Sequence, residues 1–266
     1  MSRASWVLCC LGLFVLAGCV EPERRRVELV YTYEPAQLLE ALRRRADTVT
    51  TLKARLNIHF EGPEMEGPRS CDGLLRYQAP DRIRLRGERD FVGEVFDLAS
   101  DGERYQYRLL DPETRALGPE QTGSVADLRR QPERGLATLS LNLGELLGLV
   151  RPPEQTATIK VLVKTYPDHY IIDLVDVAGD TVYPLRQWWV DRVDLTCLRI
   201  EAFGASGELV MEAALSDYDT LGPGLSRIAT MLRLHWPGSG ETLTFELRGL
   251  KANRPLKASL FHLRDD

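Results

Sequence analysis

The chain has 266 residues, a formal net charge of −5, 44% hydrophobic and 27% charged residues. That balance rules out a disordered, collagen-like or cysteine-dense chain. The 34 Lys plus Arg against 39 Asp plus Glu argue against the basic surplus of a nucleic-acid binder, so no nucleic-acid partner is expected.

Three of the five cysteines, Cys9, Cys10 and Cys19, fall at the N-terminus. After Arg3, the run from Trp6 to Leu16 is apolar or small throughout. This is the layout of a secretory signal, and it is shorter than the about 20 residues that span a bilayer. The sequel Leu16-Ala17-Gly18-Cys19 resembles the bacterial lipobox. That resemblance implies cleavage before Cys19, a diacylglyceryl group on its thiol and often acylation of the new amine. The plainer alternative is a short hydrophobic anchor with a chance cysteine. Two or more acyl chains anchor a protein stably, which would make membrane lipids its first partner. The expected organisation is a signal peptide over residues 1–18, a lipid-anchored tether over 19–33 and one body over 34–266, outside the cytoplasm. Val20, in place of an inner-membrane retention Asp, would permit transfer to an outer membrane facing the periplasm in an organism with two membranes.

Pro35 suits a first helical position, because its missing N–H costs nothing there. Leu38, Leu39, Leu42, Ala46, Val49 and Leu52 then recur at helical spacing, with Arg43, Arg44 and Arg45 on the wet side. The arginines form either a solvated face or a membrane-surface patch. After Lys53 the period becomes two: Leu56, Ile58 and Phe60 alternate with polar residues. Strands are predicted over residues 74–78, 82–86, 94–99 and 104–109, with Tyr105, Tyr107 and Leu109 on one face and a turn at Asp101-Gly102. Residues 111–135 are polar and read as an excursion from the sheet. Residues 136–150 break the rhythm: Leu139, Leu143, Leu146, Leu147 and Val150 share a helical face that Gly144 and Gly148 would loosen. Seven further strands are predicted over 158–164, 170–175, 185–190, 195–202, 208–215, 227–236 and 241–247. The fold class is α+β: one domain dominated by a single curved antiparallel sheet.

Chemistry-bearing clusters are sparse. His59, His169, His235 and His262 show no metal-ligand spacing, and no metal site or cofactor is expected. Asp191 with Asp194, and Asp217 with Asp219, could hold a cation or form a carboxylate pair, but Asp at strand ends is also a common turn former. Gly204 to Gly207 is not a nucleophile elbow. No catalytic residue is assigned. Cys71 and Cys197 either form a disulfide or are two isolated buried thiols.

Taken in order, these segments resemble the outer-membrane lipoprotein carrier and receptor (Lol) superfamily. The residues that carry the resemblance are Thr48 to Ala54, Asp72 to Leu85 (matching a G-x-L-x-x-x-x-P-x-x-x-x-L pattern) and the hairpin Ser100 to Tyr105. Tyr218, Gly222-Pro223, Ile228, Asn253 and Phe261 match the terminal strands of sorting-type relatives. The resemblance implies an unclosed β-barrel of about eleven strands whose mouth is covered by helices and whose apolar cavity receives acyl chains. The helix bearing Leu139, Leu143, Leu146 and Leu147 would be the lid, although an ordinary helix packed on the sheet has the same pattern. The carrier has an Arg before the strand-end Pro that helps hold its lid closed; Ala79 stands there in this chain. The lipid-anchored receptor carries an exposed apolar residue in a hairpin loop. Phe91-Val92-Gly93 occupies the equivalent loop, and either inserts into a bilayer or partner or folds back onto the sheet.

The expected function is therefore non-enzymatic: an anchored protein that binds acyl chains of lipoproteins or lipids and passes them to a membrane, with a periplasmic carrier protein as the partner such a role implies. The alternative is a regulatory or scaffold lipoprotein that uses the same fold to sense lipid or dock a protein, as anti-sigma regulators with a similar domain do.

Overall fold

The period-two apolar runs become strands in the computed structural model, which describes residues 32–63, 69–111, 113–114, 116–130 and 139–261 within one unit, Tyr31–Asp266. Cys19, with the signal and nearly all of the tether, lies outside the described residues. The N-terminal half runs α1 (Pro35–Asp47), β1 (Thr51–Glu61), β2 (Arg69–Gln78), β3 (Arg82–Arg89), β4 (Gly93–Ser100), β5 (Arg104–Leu109), β6 (Gln121–Ser124) and α2 (Val125–Arg130). Then follow α3 (Leu139–Leu146), β7 (Ile159–Thr165), β8 (His169–Ala178), β9 (Thr181–Asp191) and β10 (Cys197–Phe203). The chain continues through β11 (Leu209–Thr220), β12 (Arg227–Trp236), β13 (Glu241–Ala252) and a short 3-10 turn (Ala258–Leu260).

All strands belong to one sheet in the order β6-β5-β4-β3-β2-β1-β13-β12-β11-β10-β9-β8-β7. Every neighbouring pair is antiparallel. β6 and β7 are its edges and do not pair with each other, so the barrel stays open. Among the described residues there are 13 strands, where the resemblance implied about eleven.

Register explains the buried face. Leu52, Ala54, Leu56 and Ile58 of β1 stand opposite Tyr77, Leu75, Gly73 and Cys71 of β2. Leu56 and Ile58 also face Leu247 and Phe245 of β13. These residues, alternating along each strand, point to one side, as the pleat requires. In the next row Gly73 pairs with Gly87, and Gly87 pairs with Phe96. A Cβ on Gly87 would lie 2.2 Å from the Phe96 ring, so the ring occupies the space that the missing side chain leaves. Register shifts interrupt the ladder at Lys53/Arg55, Gly87/Glu88, Leu174/Val175, Cys197/Arg199 and Ala202/Phe203. Bulges of this kind bend strands and increase twist, which suits a sheet that curls around helices.

α1 and α3 supply the other half of the core. Leu38, Leu39, Leu42 and Ala46 of α1 join Leu143 and Leu146 of α3 and the buried sheet face in one hydrophobic cluster. α1 stops earlier than the spacing suggested. The Thr48 hydroxyl donates to the Arg45 carbonyl at 2.8 Å, competing with the next helical turn, and the β-branched run from Thr48 to Thr51 favours extension. Val49 and Leu52 are still buried, but Leu52 is on β1. Nor are all three arginines solvated: Arg44 is exposed, while Arg43 and Arg45 are half-buried.

The polar stretch over 111–135 does not simply leave the sheet. It adds the edge strand β6, and Val125 and Leu128 of α2 form a satellite cluster with Tyr105. The preceding loop folds over the other face of β5: Leu110 bridges Leu117, and Arg108 donates to Glu120 at 2.9 Å. Gln106 is consequently buried and Leu109 exposed, the reverse of what alternation suggested.

Candidate functional site

α3 and the segment after it form the most elaborately fastened part of the interior. Leu139 is its first residue, and Leu143, Leu146 and Leu147 are buried against α1 and the sheet. The helix ends in a Schellman arrangement: Leu149 N–H donates to the Gly144 carbonyl at 2.9 Å and Gly148 N–H to the Glu145 carbonyl at 2.8 Å. Gly148 supplies the left-handed residue (φ +82°), and a Cβ there would sit 2.7 Å from the Tyr218 hydroxyl. At Gly144 a Cβ would come within 2.8 Å of the Tyr77 hydroxyl. The two glycines thus do not loosen the helix; they let it approach the tyrosines and end cleanly.

Polar contacts hold this segment in place. Ala229 N–H of β12 donates to the Leu147 carbonyl at 3.2 Å, and Trp188 Nε1 of β9 donates to Glu145 Oε2 at 3.2 Å. Beyond the helix, Arg43 donates to the carbonyls of Pro152 and Pro153, each at 3.0 Å, and Arg151 pairs with Asp47 at 2.5 Å. Trp188 and Leu147 are both 0% exposed. The Tyr218 hydroxyl donates to the Cys197 carbonyl, and that of Tyr77 to the Pro80 carbonyl at 3.0 Å.

Burial pushes the pKa values of Tyr77, Tyr218 and Cys197 upward, and that of Cys71 up to about 11. All four stay protonated at neutral pH, and neither thiol is an activated nucleophile. Cys71 and Cys197 are free. Cys71 faces Ile58 on β2 and Cys197 faces Val190 on β10, with β1, β13, β12 and β11 between their strands in the sheet.

The tip of the β3–β4 hairpin is the second feature. Arg89 pairs with Gly93, and Val92 N–H donates back to the Arg89 carbonyl at 3.1 Å. Phe91, between them, has φ +63° and is fully exposed at 109%; Val92 is 39% exposed. Thr51 pairs with Gln78 and Gln78 with Arg82, which sets the end of α1, Tyr77 and, through Gly144, α3 at one end of these strands. The Phe91 tip is at the other end.

The remaining candidates resolve into structure. Asp191 Oδ1 accepts Val193 N–H at 2.7 Å and Asp194 N–H at 3.1 Å, and Asp219 Oδ1 accepts Thr220 N–H at 2.8 Å, as turn formers do. Asp217 adopts φ +53°. Among the described residues no group of three His, Cys, Asp or Glu could hold a metal ion, and no helix is long and apolar enough to cross a membrane. His262 lies outside the described residues. The sequence did not single out Trp188, Glu145, Tyr77 or the contact of Tyr218 with Gly148. Alternation placed Trp188 on a strand, but only the fold brings it to Glu145.

No family profile matches the chain, and no curated protein matches its sequence. Solved structures do match in shape. A LolA-superfamily protein from Nitrosomonas europaea aligns with a TM-score of 0.57 at 12% identity, covering 85% of this chain and 97% of that one. A domain from Vibrio parahaemolyticus named for outer membrane lipoprotein sorting gives 0.56 at 11%, covering 84% and 95%. A DUF1329 family protein from Desulfovibrio piger gives 0.55 at 14%, covering 85% and 94%. With one open antiparallel sheet wrapped on two helices, this chain has the fold of the LolA superfamily.

Proposed function

We propose that the protein is a lipid-anchored, non-enzymatic component of the cell envelope that takes acyl chains into its apolar interior and passes them to a membrane. The anchor is Cys19, Val20 permits outer-membrane placement in an organism with two membranes, and the body is residues 34–266. The observation that carries the reading is α3. It is a leucine-rich helix seated against the inner face of an unclosed sheet, and a small set of polar contacts holds it there. When α3 swings away, the surface it covers becomes a site for methylenes, each worth roughly 0.8 kcal/mol on burial. Lid closure competes with the ligand for the same surface, which keeps net affinity modest and suits transfer. Phe91 and Val92 at the far end would contact the receiving bilayer. The Vibrio parahaemolyticus neighbour, named for lipoprotein sorting, supports the same class of ligand.

The test is the mature chain carrying Cys19→Ala, purified and extracted with organic solvent, then titrated with a fluorescent fatty acid. A co-purifying acyl lipid or saturable exchange is expected. An extract without lipid, together with no saturable binding, would overturn the proposal.

One observation favours the alternative of a regulatory or docking lipoprotein. The interior is already filled, with Leu38, Leu147 and Trp188 fully buried. A stoichiometric protein partner captured by a chain that binds no fatty acid would establish that role instead.

A further inference from the structure

A groove of about 490 Å³ opens where the last turn of α1 meets the β9–β10 loop and the start of β12. Arg44, Arg45 and Arg227 line it with a single carboxylate, Asp194. That carboxylate is already committed. Its Oδ2 accepts from Arg227 Nη1 at 2.7 Å, and its Oδ1 accepts from Thr196 N–H at 3.0 Å and Thr196 Oγ1 at 2.6 Å. Arg227 in turn donates Nη2 to the Tyr218 carbonyl at 2.8 Å and lies 5.8 Å over the Tyr218 ring. The Asp194–Arg227 pair is therefore satisfied, and among the described residues no carboxylate pairs with Arg44 or Arg45.

Arg45 is the more telling of the two. Its Nη2 is shielded from solvent and has no hydrogen-bond partner among the described residues. The helix C-terminus accounts for basic residues in a last turn. It does not account for a shielded guanidinium nitrogen left without an acceptor, which proteins ordinarily avoid. Burial also holds the Arg45 guanidinium below its ordinary pKa despite the nearby Asp194. An anion entering the groove would meet Arg44 and Arg45 on its wall and supply the charge that pairs with them nowhere else among the described residues.

We propose that this groove binds a phosphate group, with Arg44 and Arg45 as its donors. Guanidinium forks match phosphate oxygens, and the volume falls in the range of small-ligand sites. The phosphate is either a free ion or part of a phospholipid headgroup. The groove shares no residue with the α3 segment, so the assignment does not depend on acyl-chain binding.

The test uses the full chain in a neutral detergent at low salt, titrated calorimetrically with sodium phosphate, dihexanoyl phosphatidylglycerol and sodium acetate. Saturable binding of at least one phosphate compound, tighter than acetate, is expected. Binding of both compounds identifies the phosphate group itself as ligand, and binding of the lipid alone identifies the headgroup. Arg44→Glu, at an exposed position that leaves the fold intact, should weaken binding at least tenfold, and Arg45→Gln should do the same. Arg233→Gln on an exposed strand position should change nothing. Absence of saturable binding, equal binding of acetate, or an Arg44→Glu variant that binds like wild type would overturn the proposal. Fatty-acid titration of Arg44→Glu should match wild type, so failure here is separable from failure of the acyl-chain reading.

Discussion

At the β3–β4 tip, left-handed backbone costs a non-glycine residue such as Phe91 about 1–2 kcal/mol, and its exposed ring recovers none of that by packing. Phe91→Gly would relieve the strain but add unfolded-state entropy of about 0.5–1 kcal/mol, so thermal stability should change little. A Phe side chain buried in a bilayer contributes about 1.5–3 kcal/mol. Flotation with vesicles should therefore show the Cys19→Ala chain losing about 10- to 100-fold in membrane partitioning on Phe91→Gly, at nearly unchanged melting temperature. Equal partitioning of the two proteins would remove the loop from the transfer route. Asp194 gives a second residue-scale expectation. Burial opposes its ionisation, but hydrogen bonds from Thr196 and the charges of Arg227 and Arg45 prevail and hold its carboxyl below the usual carboxylate range. A carboxyl lowered in the folded state stabilises above its unfolded pKa of about 3.9 and loses that contribution as pH falls through the folded value. Asp194→Asn should thus flatten the acid limb of stability below about pH 4, as followed by denaturant melts, and leave the neutral-pH slope unchanged. Sequence alone could see Phe91 as out of place among Glu88, Arg89 and Asp90. It could not see the positive φ, which comes from the closure of a tight hairpin.

For α3 the pattern of leucines was legible, and its role as lid or packed helix was not. The distinction is one of local stability: a lid opens well below the global unfolding free energy, whereas an integral core helix opens only with it. Native-state hydrogen exchange should show the amides of α3 opening at lower free energy than those of β12 and β13, and faster still in Gly148→Ala. That substitution puts a Cβ at φ +82° and 2.7 Å from the Tyr218 hydroxyl, which must move off the Cys197 carbonyl. A cost of about 2 kcal/mol is expected. If the amides of α3 exchange only through global unfolding, α3 is part of the fixed core. Two other elements show why periodicity misleads. α1 stops at Asp47 because Thr48 turns its hydroxyl back onto the helix, although buried apolar residues continue at helical spacing through Leu52. β5 loses its apolar face assignment because the loop that follows it folds back along the strand, with Gln106 buried and Leu109 exposed.

On the scale of the molecule, the sheet is long, continuous and unclosed, with Lys160 and Lys164 on the free edge strand β7, where charges discourage pairing with another sheet. The antiparallel character of the strands and the placement of two helices followed from the sequence; the edge strand β6 did not. Alternation is a local signal with period two, and each hairpin joins neighbours in the chain. The pairing of β1 with β13 is different, because it joins residues some two hundred positions apart. That contact is secured by Asn253, whose side chain accepts Thr50 N–H at 2.8 Å and donates to the Thr48 carbonyl at 2.8 Å. By itself the sequence determined an α+β chain with one alternating sheet and a leucine-rich helix, since those patterns live within a few residues of chain. Only the tertiary structure decided that Cys71 and Cys197 stay apart, that Glu145 meets Trp188, and that Arg45 faces a groove without an acceptor. Each of those facts depends on which distant strands curl together, and no local spacing encodes that.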